Sequence, residues 1–151
     1  MKAINNMRMV FDSRSANEAF ARTTVAAFLC AFDPTMEELM DVKTAVSEAV
    51  TNAIVHAYRD CIGKVTLSAS LYENNLIVIK ISDKGCGIED IAKAREPLFT
   101  TRPEEERSGL GFSLMESLMD KLKVSSKAGK GTTITMEKHI RSKGTAHELQ
   151  H

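Results

Sequence analysis

Met7, Met9 and Phe11 alternate with Arg8, Val10 and Asp12 in the stretch MRMVFDS, a period of two that predicts a short strand with one buried face. Ser15, with Glu18 three residues later, has the form of a capping box. It predicts a helix from about Ser15 to Cys30 that turns Phe20, Thr24 and Phe28 toward a core. The segment DPT breaks that helix, and Thr35 with Glu38 repeats the signature. From there Leu39, Val42, Val46, Ala49, Val50 and Ala53 keep helical spacing, which carries a second predicted helix to Tyr58.

The next segment, KVTLSASLY, alternates at Val65, Leu67, Ala69 and Leu71. ENN supplies turn residues and LIVIKIS alternates again, so the pair predicts an antiparallel hairpin. The glycine-rich DKGCGI ends it. An irregular segment follows, with Pro97, Pro103 and the acidic run Glu104 to Glu106, and a third helix is predicted from near Gly109 to Gly111 through Leu114, Leu118 and Met119. KLKVSSK, the turn AGKG and TTITMEKHI predict a closing hairpin. Strand, two helices, two strands, loop, helix and two strands give an α/β (α+β) two-layer sandwich, with three helices on one face of a mostly antiparallel sheet. Residues 1–140 are expected to form one domain. The tail 141–151, RSKGTAHELQH, lacks apolar periodicity and is expected to be flexible.

Composition narrows the function classes. Twenty Lys and Arg balance twenty Asp and Glu, so no bulk charge draws the chain to nucleic acid or to an anionic membrane, and recognition has to be local. Cys30, Cys61 and Cys86 lack the paired spacing of a zinc site or a disulfide framework, which fits a reducing compartment. The N-terminal stretch lacks the apolar core of a signal peptide, and no run approaches membrane-spanning length. A cytoplasmic, soluble protein is expected.

Against this ordinary background, SEAVTNAIVHAYRD sets Glu48, Asn52 and His56 four residues apart, on one side of a helix. Such polar rows commonly do no more than solubilise a surface. Downstream, however, lie three glycine clusters, DKGCG (83–87), SGLGF (108–112) and GKGTT (129–133), each where an element ends or begins. Backbone N–H groups at a glycine-flanked helix start cradle phosphates, and Gly109 and Gly111 suit that task. Asp83, at a strand end beside two glycines, suits a base amino group, which selects adenine over guanine. The Asn52 amide offers a hard oxygen to Mg²⁺, and Glu48, one turn earlier, suits a general base for a hydroxyl attacking a γ-phosphate. His56 more simply satisfies a local hydrogen bond near the helix end.

EAVTNAIVHAY resembles the N box, and DKGCG, SGLGF and GKGTT the three glycine boxes, of the GHKL (Bergerat-fold) ATPases. Within that superfamily the chain most resembles the bacterial anti-sigma factor serine kinases of sporulation, over about residues 7–140. The resemblance implies an ATP-dependent, Mg²⁺-requiring protein serine kinase. It would hold a sigma factor of the F type and phosphorylate an anti-anti-sigma partner, working as a homodimer without direct nucleic-acid or membrane contact. It assigns Glu48 as general base, Arg107 to the γ-phosphate, Asn52 to the metal and Asp83 to the adenine amino group. Gly85 and Gly87 would border the base, and Thr132 and Thr133 would close that pocket. Thr100, Thr101, Ser108, Gly109, Leu110 and Gly111 would contact the nucleotide from the lid and the second glycine box. Glu18 and Arg22 on the first helix would meet both protein partners, with Arg22 on the side opposite the core-facing row.

Other functions share these boxes. A histidine-kinase catalytic domain normally carries a dimerisation and phosphoacceptor hairpin, and only a few residues precede the first strand here. A module that binds ATP without turning it over is the remaining alternative, and Glu48 favours turnover over it.

Overall fold

A computed structural model describes residues 2–58, 61–85, 111–127 and 129–141. The first strand, β1 (Asn5–Asp12), leads into helix α1 (Ala16–Leu29), a short 3₁₀ turn (Cys30–Phe32) and helix α2 (Met36–Asn52), which continues as a π-helical turn (Ala53–Ala57). Strands β2 (Lys64–Tyr72) and β3 (Leu76–Ser82), helix α3 (Gly111–Leu118), and strands β4 (Lys121–Lys127) and β5 (Gly131–His139) follow. The sheet order is β1-β2-β3-β5-β4 and every neighbouring pair is antiparallel. The two-layer α/β sandwich predicted from the hydropathy pattern is therefore the fold.

Alternation explains the sheet. Val65, Leu67, Ala69 and Leu71 of β2, Ile77, Ile79 and Ile81 of β3, and Ile134 and Met136 of β5 are buried on one face. Each large aliphatic side chain so buried contributes ~1.5–3 kcal/mol. Val42, Ala45, Val46, Ala49, Val50 and Ala53 of the second helical segment and Phe112 and Met115 of α3 cover that face. Asn74 and Asn75, both at positive φ, turn the chain between β2 and β3.

The helix starts divide. At α2 the capping box forms in full: Thr35 Oγ1 accepts from the Glu38 N–H at 3.1 Å and Glu38 Oε1 accepts from the Thr35 N–H at 3.0 Å. Glu38 Oε2 also accepts from the Arg141 N–H at 2.7 Å, tying the start of α2 to the chain beyond β5. At α1 no capping box forms. Ser15 already has helical φ and ψ (−58°, −31°), and its side chain makes no cap bond. The Glu18 carboxylate is turned instead toward Arg22 and Ser47.

The buried face of α1 also departs from expectation. Ala21, Val25 and Leu29 are fully buried, whereas Phe20 is 58% exposed, Thr24 is half-buried, and Phe28 only flanks the core. Ala21 allows the close approach of α1 to α2 that the bulkier Phe20 would block. The buried row thus sits one residue on from the predicted one. Arg22 lies beside that row, on the flank turned toward α2, and not on the opposite side of the helix.

Among the described residues no helix is long and apolar enough to cross a membrane.

Candidate functional site

Glu48 and Asn52 lie half-buried on the last turns of α2. Immediately beyond them the α-helical repeat gives way to the π turn. Such turns are frequent at functional sites. Changing from i→i+4 to i→i+5 bonding interrupts the predicted row, so the spacing that aligns Glu48 with Asn52 does not carry on to His56. The Ala53 to Ala57 segment continues apolar spacing, which is why the sequence reads as one unbroken helix.

Across from this pair, α3 begins at Gly111. A Cβ placed there would stand 3.6 Å from both Glu48 Oε2 and Asn52 Nδ2, and 3.7 Å from Asn52 Oδ1. The second glycine box therefore sets its helix start directly over the carboxylate and the amide of the N box. The N-terminal N–H groups of a helix favour anions, so an anionic group beside Glu48 and Asn52 would meet donors from this side. The opposite end of α3 is held by β5. Lys138, its side chain only 13% exposed, donates from Nζ to the Leu118 carbonyl at 2.7 Å and lies 3.8 Å from Asp41 Oδ2, while the Asp120 N–H donates to the Glu137 carbonyl at 2.9 Å.

The first and third glycine boxes meet at Asp83. Its Oδ1 accepts from the Gly85 N–H at 3.0 Å and from the Thr132 N–H at 3.2 Å, and its own N–H donates to the Thr132 carbonyl at 2.9 Å. Among the described residues no hydrogen bond reaches Oδ2, which leaves that oxygen as an acceptor for a ligand. Burial raises the Asp83 pKa above the usual aspartate value, and the two backbone donors partly offset this by favouring the carboxylate. Gly131, at φ +107°, packs so closely that a Cβ would come within 2.1 Å of the Asp83 carbonyl oxygen. Cross-strand hydroxyl contacts brace the same corner, Ser82 Oγ to Thr133 Oγ1 at 3.1 Å and Ser126 Oγ to Thr132 Oγ1 at 2.9 Å.

The π turn closes the third side. A Cβ on Gly85 would fall 2.5 Å from the Ala57 carbonyl oxygen, so this glycine lets the loop after β3 lie against the end of the N box. Tyr58, which the sequence did not single out, bonds both flanking segments. Its hydroxyl accepts from the Lys84 N–H at 2.8 Å and donates to the Lys64 carbonyl at 2.9 Å, and its ring covers Gly63, where a Cβ would fall 2.2 Å from a ring carbon.

Glu48, Asn52, Asp83, Gly85, Gly111, Thr132 and Thr133 thus belong to elements that converge through these contacts. Glu18 and Arg22 form a separate group on α1. Arg22 pairs with Glu18 at 3.2 Å, and Glu18 Oε2 accepts from Ser47 Oγ at 2.8 Å, one residue before Glu48. Gly87, Thr100, Thr101, Arg107, Ser108, Gly109 and Leu110, like Cys86, lie outside the described residues. No cluster of three or more His, Cys, Asp or Glu side chains suited to a metal occurs among the described residues. Asn52 Oδ1 and Glu48 Oε2, both near the Gly111 position, are hard oxygens, which fits Mg²⁺ that keeps waters and phosphate oxygens as its other ligands.

The sequence profile of the histidine kinase-like ATPase domain matches residues 11–138. An anti-sigma F factor of Caldanaerobacter subterraneus subsp. tengcongensis is 55% identical over 140 residues, 93% of this chain and 97% of the relative. The anti-sigma F factor of Bacillus subtilis is 52% identical over 137 residues, 90% of this chain and 93% of the relative. Among solved structures, the RsbU and RsbW domains of a Mycobacterium tuberculosis protein superpose with a TM-score of 0.65 at 18% identity, over 90% of this chain and 32% of that one. A histidine kinase domain from Erythrobacter litoralis superposes at 0.54 and 22% identity, over 82% of this chain and 60% of the other. At those identities the superpositions concern the fold alone.

Proposed function

The chain belongs to the histidine kinase-like ATPase domain family and, within it, to the anti-sigma F factors. From this premise we propose that it holds a sigma factor of the F type inactive and transfers the γ-phosphoryl group of ATP to a serine of an anti-anti-sigma partner. The observation that carries the kinase reading is the placement of Gly111, at the start of α3, where a Cβ would lie within 4 Å of both Glu48 and Asn52. It supports a site where phosphate oxygens, a metal-ligating amide and a base lie together.

In this reading the N–H groups opening α3 hold the phosphates, and Asp83 Oδ2 accepts a hydrogen bond from the adenine amino group between Gly85 and Thr132. The Asn52 oxygen would hold Mg²⁺, which when bound would offset charge on the phosphate oxygens. Glu48 takes the proton of the serine hydroxyl as that oxygen bonds to the γ-phosphorus. The bond to the β,γ-bridging oxygen breaks, and ADP leaves with its electron pair. Arg107 is assigned to the γ-phosphate, with Thr100, Thr101, Ser108, Gly109 and Leu110 on the same side and Gly87 at the base. Glu18 and Arg22 are assigned to the protein partners.

A homodimer completes the proposal. Among the described residues β1 pairs only with β2, so its other edge presents backbone groups that a second copy would satisfy. A molecular mass of one chain across a wide concentration range in light scattering, with ATP present, would remove the dimer.

Single-turnover transfer from labelled ATP to a serine-bearing partner tests the enzyme. Wild-type protein is expected to give phosphoserine, and Glu48→Gln to slow transfer ~10²-fold while sigma binding persists. ATP binding with no transfer by wild-type protein would leave an ATP-dependent binding module in place of a kinase.

A further inference from the structure

Strands β2 and β3 pair in a register that sets Thr66 opposite Ser82. Two residues further along the same register Lys64 would face Lys84, and a backbone bond between them would prolong the ladder. The Tyr58 hydroxyl stands in that place. It accepts from the Lys84 N–H and donates to the Lys64 carbonyl, so each backbone group is satisfied by the phenol and not by the other. One side chain from the end of the N box thus parts the two strands at the point where β3 gives way to Asp83.

Further contacts fix the phenol. The ring covers Gly63, the residue before β2, leaving no room for a Cβ there, and the Gly63 N–H donates to the buried Ser13 Oγ at 3.0 Å. Two residues beyond Asp83, Gly85 lies against the Ala57 backbone, immediately before the tyrosine. Asp83 is therefore bracketed, with Thr132 on one side and the Lys84 amide held by Tyr58 on the other.

We propose that Tyr58 is a positioning residue for nucleobase recognition: its hydroxyl, inserted between Lys64 and Lys84, sets the direction in which Asp83 leaves β3. This rests on the reading of Asp83 as the acceptor for the adenine amino group. Removing the hydroxyl lets Lys64 and Lys84 close on each other or bind water, and the Asp83 carboxylate turns away from the base. Losses then fall on nucleotides that carry a 6-amino group. A tyrosine that only stabilises the fold would weaken all nucleotides alike.

The test is calorimetric titration of the full-length wild type, Tyr58→Phe, Asp83→Asn and the double variant with ATP and with purine riboside triphosphate, which lacks the amino group. Wild-type protein is expected to prefer ATP, and Tyr58→Phe to reduce that preference by about three- to tenfold, the range for one neutral hydrogen bond, with little change toward the purine analogue. In the Asp83→Asn background Tyr58→Phe is expected to reduce it no further. An undiminished ATP preference in Tyr58→Phe, or equal losses toward both nucleotides, overturns the role of Tyr58 while leaving that of Asp83. The same loss with and without the Asp83 carboxylate shows that the tyrosine acts elsewhere and overturns it too. Absence of any ATP preference in wild-type protein overturns the Asp83 reading and the proposal together.

Discussion

Gly111 opens α3 so near Asn52 that a methyl group on it would lie 3.6 Å from the amide nitrogen and 3.7 Å from the amide oxygen. Both are ordinary van der Waals separations, so the glycine is not demanded by a clash with Asn52. Its absent side chain leaves open the space that a phosphate or a metal-bound water would fill. Asn52→Ala is expected to remove Mg²⁺-dependent ATP binding, because the metal loses its amide ligand while α2, which favours alanine, is undisturbed. Unchanged affinity in a calorimetric titration with Mg²⁺ would exclude Asn52 as the ligand.

In the proposed site Asp83 would tie function to pH. Burial sets its folded pKa above the unfolded value, so between the two the native state binds more protons than the unfolded state. The contribution of this group to stability is therefore fully present below the unfolded value and is lost as pH rises through the folded one. Its capacity to accept from a base amino group runs the other way, falling as the carboxylate takes up its proton. Wild-type ATP affinity should thus begin to fall, on acidification, above the ordinary aspartate range. Asp83→Asn should lack this transition, and comparing the two cancels the titration of the nucleotide. Parallel pH profiles would remove Asp83 from base recognition.

The corner behind Asp83 gives a stability prediction with its own control. Gly131→Ala forces φ +107° on an L residue and drives a Cβ to within 2.1 Å of the Asp83 carbonyl oxygen. Backbone strain alone costs ~1–3 kcal/mol, and the clash adds to it. Gly129→Ala, at φ +80° with nothing within 4 Å of the added atom, carries only the conformational part, about 1–2 kcal/mol. Urea unfolding should therefore show Gly131→Ala as clearly the more destabilising. Equal midpoints would mean that β5 shifts freely away from Asp83.

These residues also mark what a sequence can disclose. Strands β2 and β3 were legible to the residue because β2 alternates strictly, β3 is a short run rich in isoleucine and valine, and an asparagine pair stands between them. The row on α1 was misread because Phe20, Thr24, Phe28 and Ala21, Val25, Leu29 share the same spacing, and side-chain bulk favours the wrong one. Only the closeness of α2 rewards a small Ala21. The π turn left no trace, since Ala53, Ile54 and Ala57 fit an α-helix equally well. Glu48, Asn52 and Asp83 stood out as polar residues beside apolar or glycine-rich runs. Tyr58 did not, because its bonds are to backbone groups, which carry no residue identity, at Lys64 and Lys84.

Arg22 brings the α1 face into the same frame. Its guanidinium is paired with Glu18, and Glu18 is bonded in turn to Ser47, the neighbour of Glu48 on α2. With its side chain 36% exposed against 18% for Glu18, the arginine is the outward member of the pair. A partner's carboxylate can reach its remaining donors while Glu18 fixes its direction, which lowers the entropy lost on docking. Arg22→Ala is therefore expected to weaken both the sigma factor and the anti-anti-sigma partner by about tenfold or more, on the scale of an interface arginine. ATP affinity should stay within about twofold, since residues without a shared partner act nearly additively. Because one arginine would serve two partners, each must displace the other. Phosphorylation of the partner serine would then end the competition by adding charge at the docking surface. Pull-downs of the variant with each partner, beside an ATP titration, check this. Full retention of both partners would remove Arg22 from the interface, retention of one alone would mean that the two dock differently, and lost ATP binding would show that the Glu18–Ser47 bond supports the site through α2.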